Sequence, residues 1–198
     1  MFAFAITLLA LSLVVPILPQ DALQTELIDD LIGMWPAFLS YFISFFVIAS
    51  QWESHHRIFS YIRRCNSTII VLNFCFLLGI TIIPFLTNLI IIYRHFEFAT
   101  VLYAAMQAIT GAILLVMWIY AAGNRRLIDP DLNPRIIQLL FHRSFWIIGI
   151  FLVSIPIALF STTIAQISWI AVPSINALFQ RAYKDVEEFI MEHREVQD

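Results

Sequence analysis

Residues Met1–Leu18 read MFAFAITLLALSLVVPIL, and the fold turns on what this run is. It carries no charge, and Thr7 interrupts an otherwise aliphatic, helix-like pattern. Phe4, Leu8 and Leu11 fall at i, i+4 and i+7, the spacing of one helix face. Three readings compete: a secretory signal, a lipid-facing helix, or the wall of a pore. The signal reading is weak. There is no positively charged n-region, and the run leads into Pro16-Ile17-Leu18-Pro19 rather than a small-residue cleavage site. The prolines are expected to stop the helix, which leaves it at the short end for a span. Almost nothing precedes it.

Further along, Met34–Gln51, Asn66–Tyr93, Phe98–Asn124 and Ser144–Gln180 all lack Asp, Glu, Lys and Arg. The last is too long for one span and is best divided. With Met1–Leu18 this predicts six transmembrane helices. Composition agrees: hydrophobic residues make up 61% and charged ones 13%, against about 25% charged in soluble domains. Mean hydropathy is +0.85. Spans in lipid must satisfy their own backbone hydrogen bonds, and no β-barrel alternation occurs, so the class is all-α and polytopic.

Between the spans, Gln20–Asp30 reads as an acidic loop without Lys or Arg. Helix two begins near Met34-Trp35-Pro36 and continues beyond the membrane as SHHRIFSYIRRC. Helix three contains Pro84, and Arg94–Glu97 is a short link to helix four. The turn-rich NRRLIDPDLNPR leads to helix five, near Ile136. Ser161–Gln166 is read as a turn before helix six, which ends near Gln180. This divides the chain into a membrane domain, residues 1–180, and a charged tail, 181–198. Lys and Arg gather after helices two and four (Arg57, Arg63, Arg64; Arg125, Arg126, Arg135) and in the tail. Positive loops mark the cytoplasmic side, so both termini are expected there, in a cell (inner) membrane.

Few residues suggest chemistry. Neighbouring His55 and His56 point about 100° apart on a helix and cannot share a metal ion unaided. No HExxH, CxxC, phosphate loop or GxSxG elbow occurs, so neither a metal site nor an enzyme is expected. No basic, aromatic-interleaved stripe suggests nucleic acid. Cys65 and Cys75 are separated by about 15 Å along one helix and cannot pair. No TVGYG-like filter is present, and no acid lies inside a predicted span. Arg143 is placed near a helix end, where it can snorkel. Trp52 and His56 share a face that Phe59 continues. Asn73 falls at mid-membrane, where an unpaired amide costs several kcal/mol, so it needs a partner. Spacing alone leaves open a local role for all three.

The run Trp52-x-x-x-His56-x-x-Phe59, with Leu72-Asn73, Leu77-Leu78 and Pro84-Phe85, resembles the transmembrane protein 175 family of potassium channels. The opening FAFAITLLAL resembles that family's first helix. The likeness covers the whole six-helix layout and is nearest to the prokaryotic, single-repeat members. It implies a homotetramer in the lipid bilayer, with a central pore lined by helix one. K+ would permeate passively, with no cofactor. The narrowest ring falls on Phe4, followed by Leu8 and Leu11, and Thr7 borders them with hydroxyls for a partly dehydrated cation. It also implies an interhelical polar network of Trp52, His56 and Asn73. Two departures are visible. The family's Arg-x-x-x-Phe-Ser-Asp signature would lie before Met1, and the narrowest position, usually Ile or Leu, is Phe4. A reading from another class remains: a non-conducting structural or assembly protein, or a small-solute carrier.

Overall fold

The computed structural model of the chain describes residues 1–19, 21 and 23–195, with side chains up to 186. Gln20 and Ala22 of the expected acidic loop, and residues 196–198 of the tail, lie outside the described residues. Among the described residues all regular secondary structure is helical, apart from an isolated bridge between Ile62 and Ile128. Its helices are α1 Phe2–Ala10, α2 Gln24–Gly33, α3 Trp35–Tyr61, α4 Ser67–Ile92, α5 Glu97–Ala122, α6 Pro134–Ala158, α7 Thr162–Ser168 and α8 Ala171–Glu195.

Local chemistry sets several starts. Pro36 stands in the first turn of α3, where its missing N–H costs nothing. Asn66 caps α4 by accepting from the Ile69 amide at 3.1 Å. Its amide nitrogen also donates to the Tyr120 hydroxyl at 2.8 Å, tying the start of α4 to the end of α5. Asn133 caps α6 ahead of Pro134. Between α5 and α6, Asn124 and Arg125 adopt φ of 51° and 53°, which turns the chain out of the helix.

Three sequence expectations change. The acidic stretch is a loop only in part, because Gln24–Gly33 forms α2, which meets α3 at a 46° bend. Its apolar residues Leu27, Leu31 and Ile28 recur at helical spacing among the acids. The turn expected at Ser161–Gln166 is largely the short helix α7, with Ser161 as its N-cap accepting from Ile164. The first helix is also shorter than expected. Leu11 and Ser12 close it with bonds to the carbonyls of Leu8 and Leu9, before the prolines are reached. Pro16 bars any continuation, because its ring would meet the carbonyl of Ser12 in a helix and it disfavours helical backbone at Val15, but the closing bonds end α1 several residues sooner.

Among the described residues, four helices are long and apolar enough to cross a membrane: α4, α5 with its terminal turn, α6, and the α7–α8 unit. The bent α2–α3 pair makes a fifth. The expected count of six therefore rests on α1, whose nine residues cover about 13.5 Å, under half of a hydrocarbon core.

The core lies between α4, α5 and α6. Phe76, Ile80 and Ile83 of α4 meet Tyr103, Met117 and Trp118 of α5, and Phe151 fills the α6 side. Gly79 lets α4 and α5 approach closely: a Cβ there would lie 2.3 Å from Thr110 Oγ1. The loops sort by end. The α3–α4 and α5–α6 connections lie together, joined by the Arg63 amide to the Leu127 carbonyl (2.8 Å) and by the Arg63–Asp129 ion pair (3.3 Å). At the opposite end, Thr162 donates to the Arg94 carbonyl at 3.3 Å.

Candidate permeation surface and its supporting polar contacts

α1 has no polar contact with its own bundle and is held by apolar packing. It buries Ala5 and Leu9, one turn apart, against α4 and α3. Phe2 fixes its start, lying 5.9 Å from the Phe76 ring and 5.7 Å from that of His55. Beyond its end, Ser12 and Val14 line a cavity with Asn88 and Ile91 of α4. The segment thus runs along α4 from the level of Phe76 to that of Asn88.

The opposite face of α1 turns away from the bundle. Phe4 is 66% exposed, Leu8 36% and Leu11 73%. Phe4 and Leu8 share a face within the helix. Leu11 is the residue just past it, and its helical φ/ψ keeps it in register. Thr7 is also exposed, and its hydroxyl donates to the Ala3 carbonyl at 2.8 Å. The proton is engaged, and the oxygen lone pairs remain available as acceptors. The four positions are brought together on one apolar surface with a single hydroxyl border.

The expected polar network is arranged differently. Asn73 does find a partner on helix α3, but it is His55, whose Nε2 lies 2.8 Å from Asn73 Oδ1. The expected His56 is one residue on, so it is turned about 100° away from α4 and into an exposed position. There it stacks on Trp52, with centroids 5.5 Å apart and planes 17° from parallel. Trp52 and His56 thus form a surface pair, while the interhelical bond belongs to His55 and Asn73. The His55 ring is packed between Phe59 (4.4 Å) and Phe76 (5.2 Å, stacked). Through Phe2, the same aromatic cluster seats the start of α1.

A second polar cluster went unread in the sequence. Arg143 does not snorkel: its side chain is 1% exposed, and its guanidinium lies 3.4 Å from Glu53 of α3. Its Nε donates to Asn176 of α8 at 2.8 Å. Glu53 also faces Arg57 at 3.7 Å, and Arg57 sits 4.3 Å above the Tyr183 ring. The cluster joins α3, α6 and α8. The usable signal was a lone Arg in an apolar helix, which requires a carboxylate, and Glu53 closely follows the charge-free run of α3. Tyr183 and Asn176 lie on one uninterrupted helix that passes Gln180 without a break.

A smaller set of hydroxyls joins α3, α4 and α5. Thr87 donates to Ser44 at 2.8 Å, and Tyr103 donates to the same Ser44 oxygen at 3.1 Å. Among the described residues, no three His, Cys, Asp or Glu side chains are grouped so as to hold a metal ion.

Comparison with known proteins gives a consistent result. The family model described as endosomal/lysosomal potassium channel TMEM175 matches residues 1–84. A potassium channel of Chamaesiphon minutus is 29% identical over 164 residues, covering 81% of this chain and 80% of the relative. A potassium channel of Streptomyces collinus is 29% identical over 136 residues, covering 67% of this chain and 65% of that protein. Among solved structures, the crystal structure of a lysosomal potassium-selective channel TMEM175 homolog from Chamaesiphon minutus superposes with a TM-score of 0.76. It has 26% identity over 89% of this chain and 90% of that one.

Proposed function

We propose that this chain is a potassium-permeable channel of the TMEM175 family whose pore is formed by α1 of several copies. The family is one of ion channels, not of enzymes, and the chain is a multi-pass membrane protein. The observation that carries the pore assignment is the outward face of α1. An uncharged segment buries Ala5 and Leu9 in its own subunit and leaves Phe4, Leu8 and Leu11 to meet something else.

Four copies around an axis would stack these residues into rings, with Phe4 narrowest. A ring of apolar side chains gates by steric closure and dewetting. Thr7 would offer oxygen lone pairs beside the constriction. K+ holds its hydration shell less tightly than Na+, so a site that strips water without replacing it favours K+. Conduction is passive, and the permeant ion is the only small species required. His55–Asn73 would hold the wall in place from behind, and Trp52 and His56 would face outward from the bundle. The end that gathers Arg63, Arg64, Arg125 and Arg126 is assigned to the cytoplasm, with both termini on that side of a cell membrane.

The test is purified protein in liposomes under a K+ gradient. Flux is expected without ATP or a coupled ion. Absence of flux at either polarity of the gradient would overturn the reading and favour a non-conducting role.

A further inference from the structure

At the end of the bundle opposite the basic loops, Arg94 stands alone as a cation. Among the described residues it forms no ion pair, and its Nε donates to His95 Nε2 at 3.2 Å. A cavity of about 190 Å³ opens beside it, lined by Trp35, His95, Thr162, Thr163 and Gln166. This lining offers two hydroxyls, an amide and an imidazole, but no carboxylate. Trp35 suits the headgroup level, where amphipathic rings gather.

Leu39 lines this cavity and also a second one of about 180 Å³. The second is apolar throughout, between Phe42, Ile43 and Phe46 of α3 and Trp169, Ile170 and Pro173 beside and on α8. A polar, cation-bearing recess thus continues, one α3 turn further along, into a hydrocarbon slot. Leu39, Phe42, Ile43 and Phe46 follow helical spacing, so the slot descends along α3.

We propose that this groove binds one glycerophospholipid per subunit, with its phosphodiester on Arg94 and an acyl chain in the slot between α3 and α8. Guanidinium recognises phosphate with paired, charge-assisted bonds, and the Thr163 hydroxyl, which also lines the recess, can add a donor, while Thr162 holds the Arg94 carbonyl. With no carboxylate to receive a headgroup amine, the recess favours an anionic headgroup such as phosphatidylglycerol over phosphatidylcholine. Bound there, the lipid bridges α3, α7 and the α4–α5 link. This lipid site does not depend on the chain's conducting ions.

The experiment is native mass spectrometry of the purified protein after reconstitution with phosphatidylglycerol or phosphatidylcholine, and detergent washing. The wild type is expected to retain phosphatidylglycerol preferentially. Arg94→Gln should weaken that retention about tenfold, the effect of one lost charge-assisted hydrogen bond, and Arg94→Lys should recover part of it. Ile170→Trp, which fills the slot, should reduce retention of both lipids alike. Equal retention by wild type and Arg94→Gln would overturn the proposal. So would displacement of the lipid by millimolar glycerol 3-phosphate, which would mean a free-anion site with no role for the slot. A change of oligomer mass in Ile170→Trp without loss of lipid would also overturn it, because a second copy of the chain would then fill the groove.

Discussion

Glu53 of α3 and Arg143 of α6 form an ion pair at 3.4 Å in which the arginine side chain is 1% exposed. Removing one member of a buried pair leaves a charge without compensation, which costs about 3–5 kcal/mol. Glu53→Gln is therefore expected to lower the unfolding temperature in detergent sharply. Glu53→Leu with Arg143→Met should recover much of the loss, because two apolar groups replace the pair. Thermal melts of the three proteins check this. A double variant no more stable than the single one would place the cost elsewhere.

The His55–Asn73 bond makes a second prediction. Asn73→Leu leaves the His55 ring without its acceptor in an aromatic pocket and should cost about 1–3 kcal/mol. His56→Ala removes only an exposed stacking partner and should change stability far less. Urea unfolding in detergent compares the two. Equal effects would mean that the interhelical bond does not bear on stability.

Gly79 is a position where any side chain collides. Gly79→Ala puts a Cβ 2.3 Å from Thr110 Oγ1 and should destabilise the α4–α5 packing by about 1–3 kcal/mol. Adding Thr110→Ala removes the nearest atom and should restore most of the stability. The readout is the melting temperature of the pair against the parent. Failure of the second change to rescue would indicate that the helix backbones themselves are the obstacle.

Leu8 lies on the outward face of α1, outside the buried core. Leu8→Asn should leave folding unchanged, raise K+ flux in liposomes about tenfold or more, and reduce discrimination against Na+. A polar ring resists dewetting and takes over part of the ion's hydration. Unaltered flux and selectivity would mean that this face does not line the pathway.

How much of this was legible in advance follows from the kind of signal each feature leaves. The charge-free runs located α4 and α5 closely, because a charge inside a span is costly and marks its border, whereas α3 and α6 extend past their runs and carry Glu53 and Arg143 inside them. Asn66, Pro36 and Asn133 set helix starts through chemistry that is local in sequence. α2 was misread as loop because Glu26, Asp29 and Asp30 are interleaved with its apolar residues and masked their helical spacing. The family resemblance named Trp52, His56 and Asn73 as a network, whereas the bond to Asn73 comes from His55. Choosing between His55 and His56 depends on the rotation of α3, which packing of Phe2, Phe59 and Phe76 decides. Arg143 was misplaced for a similar reason: its carboxylate and its amide come from helices far apart in the chain.

That last separation has a consequence for how the protein is made. Glu53 emerges early in synthesis, Arg143 much later, and Asn176 and Tyr183 near the end. A nascent chain that has delivered α6 to the bilayer holds a charged pair still short of its amide and its aromatic lid. α8 supplies both at once, as one continuous helix. α8 is thus the helix that completes the buried cluster, and a chain cut before it carries its defect in the middle of the bundle rather than at the cut.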